Sequence, residues 1–111
     1  MVHEMKLNPG PYEAISSGKK TIEMRLYDEK RKKIHVGDII EFKNIETAEK
    51  LKVEVIAIHV APSFEAIYNM FDKVSLGYME HEIALYTDME QYYLTTEIEK
   101  YGAVGIEIKL I

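Results

Sequence analysis

A small α+β barrel of mixed strands with flanking helices is the fold this sequence predicts. Three observations lead there: stretches of period-two alternation separated by hairpin-scale turns, helical patterning inserted at only two points, and apolar residues on both sides of the longest strand. With 111 residues, 47% hydrophobic and 30% charged, the chain has the balance of one globular domain over residues 1–111. No repeat, low-complexity tract or Pro/Gly-rich linker divides it.

Residues 2–7 are read as a first strand. Asn8 caps a short helix with Pro9 in its first turn, where the missing N–H costs nothing. Gly18 ends that helix, since glycine tolerates the left-handed conformation found just past helix ends. In residues 19–27, Ile22, Met24 and Leu26 alternate with Thr21, Glu23 and Arg25, the pattern of a half-buried strand. Val36, Gly37 and Asp38 form a turn before a strand at 39–42. Residues 51–60 make a long strand with Val53, Val55 and Ala57 on one face and Ile56, Ile58 and Val60 on the other, which implies a central or barrel position. Ser63 caps a helix whose apolar stripe is Phe64, Ile67, Tyr68 and Phe71. Residues 74–86 carry no clear period. Met89, Tyr92 and Tyr93 suggest another helical segment, and Thr96 with Glu99 resembles a capping box ahead of Tyr101 and Gly102. Residues 103–111 close the chain as a strand with Val104, Ile106, Ile108 and Leu110 on one face, a candidate to shut the barrel against the first strand.

Composition removes several function classes. No apolar run approaches the roughly 18 residues needed to span a bilayer, and the opening Met1 to Lys6 lacks the basic flank and apolar stretch of a secretory signal. The absence of cysteine excludes disulfides, thiolate metal sites and Cys nucleophiles. It also fits a reducing compartment, so a cytoplasmic location is the simplest expectation. A net charge of −5 argues against a general nucleic-acid binder, but the charge is unevenly spread. Residues 19–33 hold Lys19, Lys20, Arg25, Lys30, Arg31, Lys32 and Lys33 against Glu23, Asp28 and Glu29, a local +4, while the rest carries −9. A basic strip on an acidic domain draws a polyanion to one face. The alternative for Lys30, Arg31, Lys32 and Lys33 is a solvated loop tip.

The polar face of the second strand is the most informative feature. Thr21, Glu23 and Arg25 point the same way about 7 Å apart from one to the next. Glu23 and Arg25 set an acid or acceptor beside a group that grips phosphate or carboxylate bidentately. Lys20 faces the opposite side in an ideal strand; only a bulge or turn near Gly18 brings it into the same cluster. The same spacing also suits a surface ladder of charge pairs worth about 0.2–1 kcal/mol each. His3, His35, His59 and His81 show no metal-ligand spacing, and Glu80, His81 and Glu82 are too short a cluster for a metal site. His59, inside an apolar strand, reads as a hydrogen-bonded core histidine, and Ser63 as a cap rather than a nucleophile. No phosphate-binding glycine loop is present. Tyr92 and Tyr93 offer a stacking surface for a base, although their spacing equally suits packing.

The stretch Ser17, Gly18, Lys19, Lys20, Thr21, Ile22, Glu23, Met24, Arg25, followed by Gly37, Asp38, Ile39, Ile40, Glu41 and Phe42, resembles the ASCH domain (activating signal cointegrator homology). The hallmark Gly-x-Lys-x-x-Glu-x-Arg is met by Gly18, Lys20, Glu23 and Arg25, and the ending Tyr101, Gly102, Ala103, Val104, Gly105, Ile106 is similar to the family's last strand. The resemblance spans nearly the whole chain. It implies a PUA-like β-barrel with RNA or a modified nucleoside as ligand, bound in a cleft walled by the motif. There Lys20 and Arg25 would neutralise phosphate or hold a polar base edge, with Thr21 beside them. Glu23 would accept hydrogen bonds or move a proton. One bacterial branch of small ASCH proteins is an amidohydrolase that deacetylates acetylcytidine with a motif lysine, a threonine at the place of Glu23, and a distal glutamate. This sequence departs at the threonine; Glu80 and Glu82 are the candidates for the distal acid.

Three functions follow as expectations. The first is an RNA- or nucleoside-binding module using Lys20, Glu23, Arg25 and Thr21, with Lys19, Lys30, Arg31, Lys32 and Lys33 on the RNA backbone. The second is a small hydrolase, an amidohydrolase on an acylated nucleoside or a ribonuclease, in which Glu23 is base or water-positioning acid and Lys20 the electrostatic stabiliser. The third is a protein-interaction module. None of them calls for a cofactor, a metal or a membrane.

Overall fold

The alternating stretches become strands close to the expected limits. In a computed structural model covering residues 1–111, the order is β1 (Val2–Leu7), α1 (Pro9–Ser16), β2 (Ile22–Leu26), β3 (Ile39–Asn44), β4 (Lys50–Ala61), α2 (Phe64–Met70), α3 (Thr95–Tyr101) and β5 (Ala103–Leu110), with 3-10 turns at Arg31–Lys33 and Tyr86–Gln91. The strands make one curled, half-barrel sheet in the order β1-β3-β4-β5-β2. All pairs are antiparallel except β1 with β3, whose parallel register (Val2 opposite Ile39) requires the long crossover through α1 and β2.

β5 does not close the barrel against β1. It lies between β4 and β2, with Arg25 opposite Val104 and Val60 opposite Val104 on its other side. The cause is visible in its side chains. Val104, Ile106 and Ile108 enter one core, while on the opposite face Ala103 and Gly105 leave room for a second layer. A Cβ at Gly105 would stand 3.2 Å from Ile22 and 3.5 Å from Ile67, so the small residue sets the close approach of β2 and α2. A strand buried on both faces belongs inside a sheet. β1 and β2 are left as its two edges.

The core divides accordingly. One cluster, with Phe42, Ile40, Val53, Val55 and Ile106 at its centre, fills the hollow of the sheet beneath Tyr12 and Ile15 of α1. The other packs Phe64 and Ile67 of α2 with Ile22, Met24, Leu76 and Met89 on the outer face. The two-sided apolar pattern of β4 has a specific origin. Its register shifts between Val55 and Ala57, so Ile56 drops out of the pairing and the side facing the first core passes from Val53 and Val55 to Ile58. Ile56 is 41% exposed in consequence.

Local corrections are few. Ser63 caps α2, accepting a hydrogen bond from the Ala66 N–H at 3.2 Å, but Asn8 makes no side-chain cap on α1. The α3 start lies upstream of Thr96 and Glu99: Glu97 accepts from the Leu94 N–H at 3.1 Å, and Thr96 and Glu99 sit inside the helix. The expected helix around Met89 is a 3-10 turn that ends at Gln91. His59 is not a core residue. It is partly exposed, paired with Glu107 at 3.0 Å and set edge-on to Phe71.

Candidate functional site

The half-barrel stays open where its two edge strands face each other, and a cleft of about 480 Å³ opens at that seam. One wall is the end of β1 with Lys6, Leu7 and Asn8; another is β2 with Glu23 and Arg25; the remainder comes from the segment between α2 and α3. Arg25 Nη2 crosses the seam to the Lys6 carbonyl at 3.0 Å.

Lys20 reaches the cleft because it is not part of β2. The Lys19 and Lys20 N–H groups both donate to the Ala14 carbonyl, at 3.1 and 3.0 Å, as α1 unwinds through Gly18 at φ +82°. The Thr21 and Ile22 N–H groups then donate to the Ser75 carbonyl as the strand begins. Strand alternation therefore does not govern Lys20, and the turn that the sequence requires is present. Its Nζ stands 3.2 Å from Glu23 Oε1 and donates to the Leu76 carbonyl at 3.0 Å. Gly77, at φ +110°, leaves the lysine its space: a Cβ there would lie 3.0 Å from Lys20 Cδ.

Glu23 is thus a buried anion between two cations, with Oε2 accepting from Arg25 Nε at 2.8 Å. Burial pushes its carboxyl up, but the neighbouring Lys20 and Arg25 charges and their hydrogen bonds outweigh burial and hold it below the usual carboxylate value. Burial alone would weaken the Arg25 guanidinium; the Glu23 carboxylate reverses that and raises it. The trio carries a net +1. After Glu23 and Leu76, Lys20 has one N–H left, and Arg25 has three beyond those given to Glu23 and Lys6.

Sequence patterning did not reveal the hydrogen-bonded part of the remaining lining. Tyr68, read as part of a core stripe, meets Tyr78 oxygen to oxygen at 2.7 Å, and the Tyr78 hydroxyl donates to Asp88 Oδ2 at 2.7 Å. Burial, followed by the bonds to Tyr68 and Asp88, drives the Tyr78 hydroxyl far above its ordinary value. All three residues line the cleft, as do Tyr92 and Tyr93. Tyr93 stacks on Phe64 at 5.9 Å with its ring nearly parallel, and exposed Tyr92 stands edge-on to Tyr93. Tyr92 and Tyr93 stand out in the sequence as a stacking surface; for the Tyr68–Tyr78–Asp88 chain the only signal is tyrosine abundance, because its partners lie ten residues apart without a period.

The remaining expected residues scatter. Thr21 is half-buried and outside the cleft lining. Glu82 is on the rim, its Oε1 accepting the Met79 N–H at 2.7 Å, whereas Glu80 is exposed and does not line the cleft. Lys19, Lys30, Lys32 and Lys33 are exposed; Arg31 is tied to Asp28 at 2.9 Å and Lys32 to Glu29 at 3.4 Å. No three His, Asp or Glu side chains come together as a metal site, and no helix is long and apolar enough to cross a membrane.

The family model described as the ASCH domain matches residues 5–111. Among solved structures, the chain is similar to hypothetical protein PH0355, with 37% identity, TM-score 0.84 and full coverage of both chains. It is also similar to protein PF0455 from Pyrococcus furiosus, with 36% identity and TM-score 0.70 over 100% of this chain and 98% of that one. A mutant ASCH protein from Zymomonas mobilis shares 16% identity and a TM-score of 0.68 over 97% of this chain and 67% of its own, a likeness of fold alone. No curated protein matches the sequence.

Proposed function

Because this chain belongs to the ASCH domain family, whose PUA-like modules generally bind RNA, we propose that the seam cleft receives one nucleotide of a single-stranded RNA or a modified nucleoside. The observation that carries this reading is the Lys20–Glu23–Arg25 trio, its lysine and glutamate buried and its arginine half-buried, lining a cleft of about 480 Å³. A purely structural ion network has no need of adjoining open space, and this volume lies within the roughly 300–1,000 Å³ of small-ligand sites. Lys20 and Arg25 supply the spare donors for a phosphate or a carbonyl edge. Tyr92 and Tyr93 offer ring faces for a base. Lys19, Lys30, Arg31, Lys32 and Lys33 draw the polyanion in and contact its backbone, while the acidic remainder of the surface repels it. The cysteine-free composition fits action in a reducing compartment such as the cytoplasm.

Binding is favoured over hydrolysis by Glu23. A general base must be free to take a proton near neutral pH, and here both carboxylate oxygens are committed to cations that keep the group ionised. The test is fluorescence anisotropy of labelled RNA hexamers at rising salt, with wild type and Lys20→Met. Affinity should fall as salt rises, since single-stranded binding loses about 0.7 log unit per log unit of salt for each phosphate contacted. Lys20→Met should bind at least about tenfold more weakly, with circular dichroism confirming the fold. RNA affinity indifferent to both salt and the substitution would end this reading and leave a protein-interaction role.

A further inference from the structure

The tyrosine wall has a fixed hydrogen-bond polarity. Asp88, as a carboxylate, only accepts, so the single Tyr78 proton is drawn to Oδ2 at 2.7 Å in preference to the Leu85 carbonyl at 3.3 Å. Tyr78 then has only lone pairs to offer Tyr68, and the 2.7 Å contact between the hydroxyls makes Tyr68 the donor. The proton positions run in one direction, from Tyr68 to Tyr78 to Asp88. What this three-residue chain leaves for a ligand is the Tyr68 lone pairs and Asp88 Oδ1, for which no hydrogen bond from the protein is seen: acceptors only. Tyr78 is raised too far to lose its proton at any ordinary pH, which keeps the direction constant. Lys20 and Arg25, which only donate, line the same cleft.

We infer that this cleft selects bases bearing an exocyclic amino group, with Tyr68 and Asp88 receiving its N–H and the Lys20–Arg25 wall holding the neighbouring ring acceptor. The inference rests on the nucleotide-binding reading and adds the polarity of the ligand to it. A carbonyl in place of the amine would set its lone pairs against a carboxylate and a hydroxyl with no proton to give. Tyr78 and Asp88 act as specificity-determining positions, Tyr78 by orienting the Tyr68 hydroxyl rather than by contact.

The experiment compares isosteric amino and oxo pairs: RNA hexamers of cytidine against uridine, and of adenosine against inosine, titrated into wild type, Tyr78→Phe and Asp88→Asn. In both pairs the amino member should bind wild type about tenfold more tightly, the weight of one hydrogen bond to a charged group. In Tyr78→Phe the Tyr68 proton is released, and in Asp88→Asn an amide N–H becomes available, so each variant should bring the ratio towards one. A merely structural role would weaken amino and oxo members equally and keep the ratio. Two variants guard against one failing to fold. Wild-type binding with no amino preference, or the reverse preference, in either pair overturns the inference while the nucleotide reading stands. Absence of binding to all four hexamers overturns both.

Discussion

Two groups of basic residues lie within one fifteen-residue window of this chain and differ in everything but charge. Lys20 and Arg25 are withdrawn into the protein and locked to Glu23. Lys30, Lys32 and Lys33 are exposed at a 3-10 turn, where Glu29 answers Lys32, while Arg31 lies half-buried against Asp28. Charge counting along the sequence weighs both groups alike. Burial separates the exposed lysines of the second group from the first: a buried charge pair resists loss of either member by about 3–5 kcal/mol, whereas exposed pairs are worth roughly 0–1 kcal/mol. The first group can shape a site, and the exposed lysines can attract and contact a polyanion around it.

The sharpest way to break that contrast is Glu23→Gln, which keeps the volume but leaves two cations facing each other under cover. Loss of about 3–5 kcal/mol is expected, a fall in melting temperature on the order of 10–20 °C by calorimetry. A shift of a degree or two would show that the trio is not a buried unit. Lys20→Met should be milder, about 2 kcal/mol, since Arg25 still neutralises Glu23; denaturant titration measures it. Gly77→Ala should cost about 1–2 kcal/mol from the left-handed backbone, and should weaken RNA binding as well, because the new methyl displaces Lys20. At the small end, replacing Lys30 and Lys33 by Gln should leave stability within about 0.5 kcal/mol and lower both the affinity for RNA at low salt and its salt sensitivity.

Acid titration sharpens the comparison further. Glu23 has a folded value below its unfolded one, so its contribution is present above the ordinary carboxylate range and is lost as pH falls through the depressed value. Asp38 behaves likewise in a different setting. The hydrogen bond from His3 and the His35 N–H hold it at about 2, so its stabilising contribution fades between its ordinary value of 3.8 and about 2. Stability profiles of Glu23→Gln and Asp38→Asn should therefore both be flatter in acid than wild type. A wild-type slope retained by both variants would place the acid-sensitive groups elsewhere.

The sheet was far more legible than the site. Ile22, Met24 and Leu26, or Val53 and Val55, announce strands because the signal and the structure are both local. Lys20 was placed only conditionally, since its position depends on carbonyls at Ala14, Ser75 and Leu76 that a period of two does not report. Tyr68 matched the helix stripe correctly, yet its hydroxyl serves Tyr78 in a segment without period. The neighbours of β5 were illegible for a similar reason: alternation shows which side of a strand is covered, not which strands flank it. The small residues Ala103 and Gly105 were the available clue, marking a second packed face.

The contact from Arg25 to the Lys6 carbonyl has a consequence for solubility. Sheet edges with unpaired backbone groups are templates for an incoming extended chain, and such edges are commonly guarded by cations. By occupying an acceptor on β1 from β2, the guanidinium bridges the two edge strands and blunts that part of β1 against strand addition. Loss of Arg25 would therefore release an aggregation-prone border.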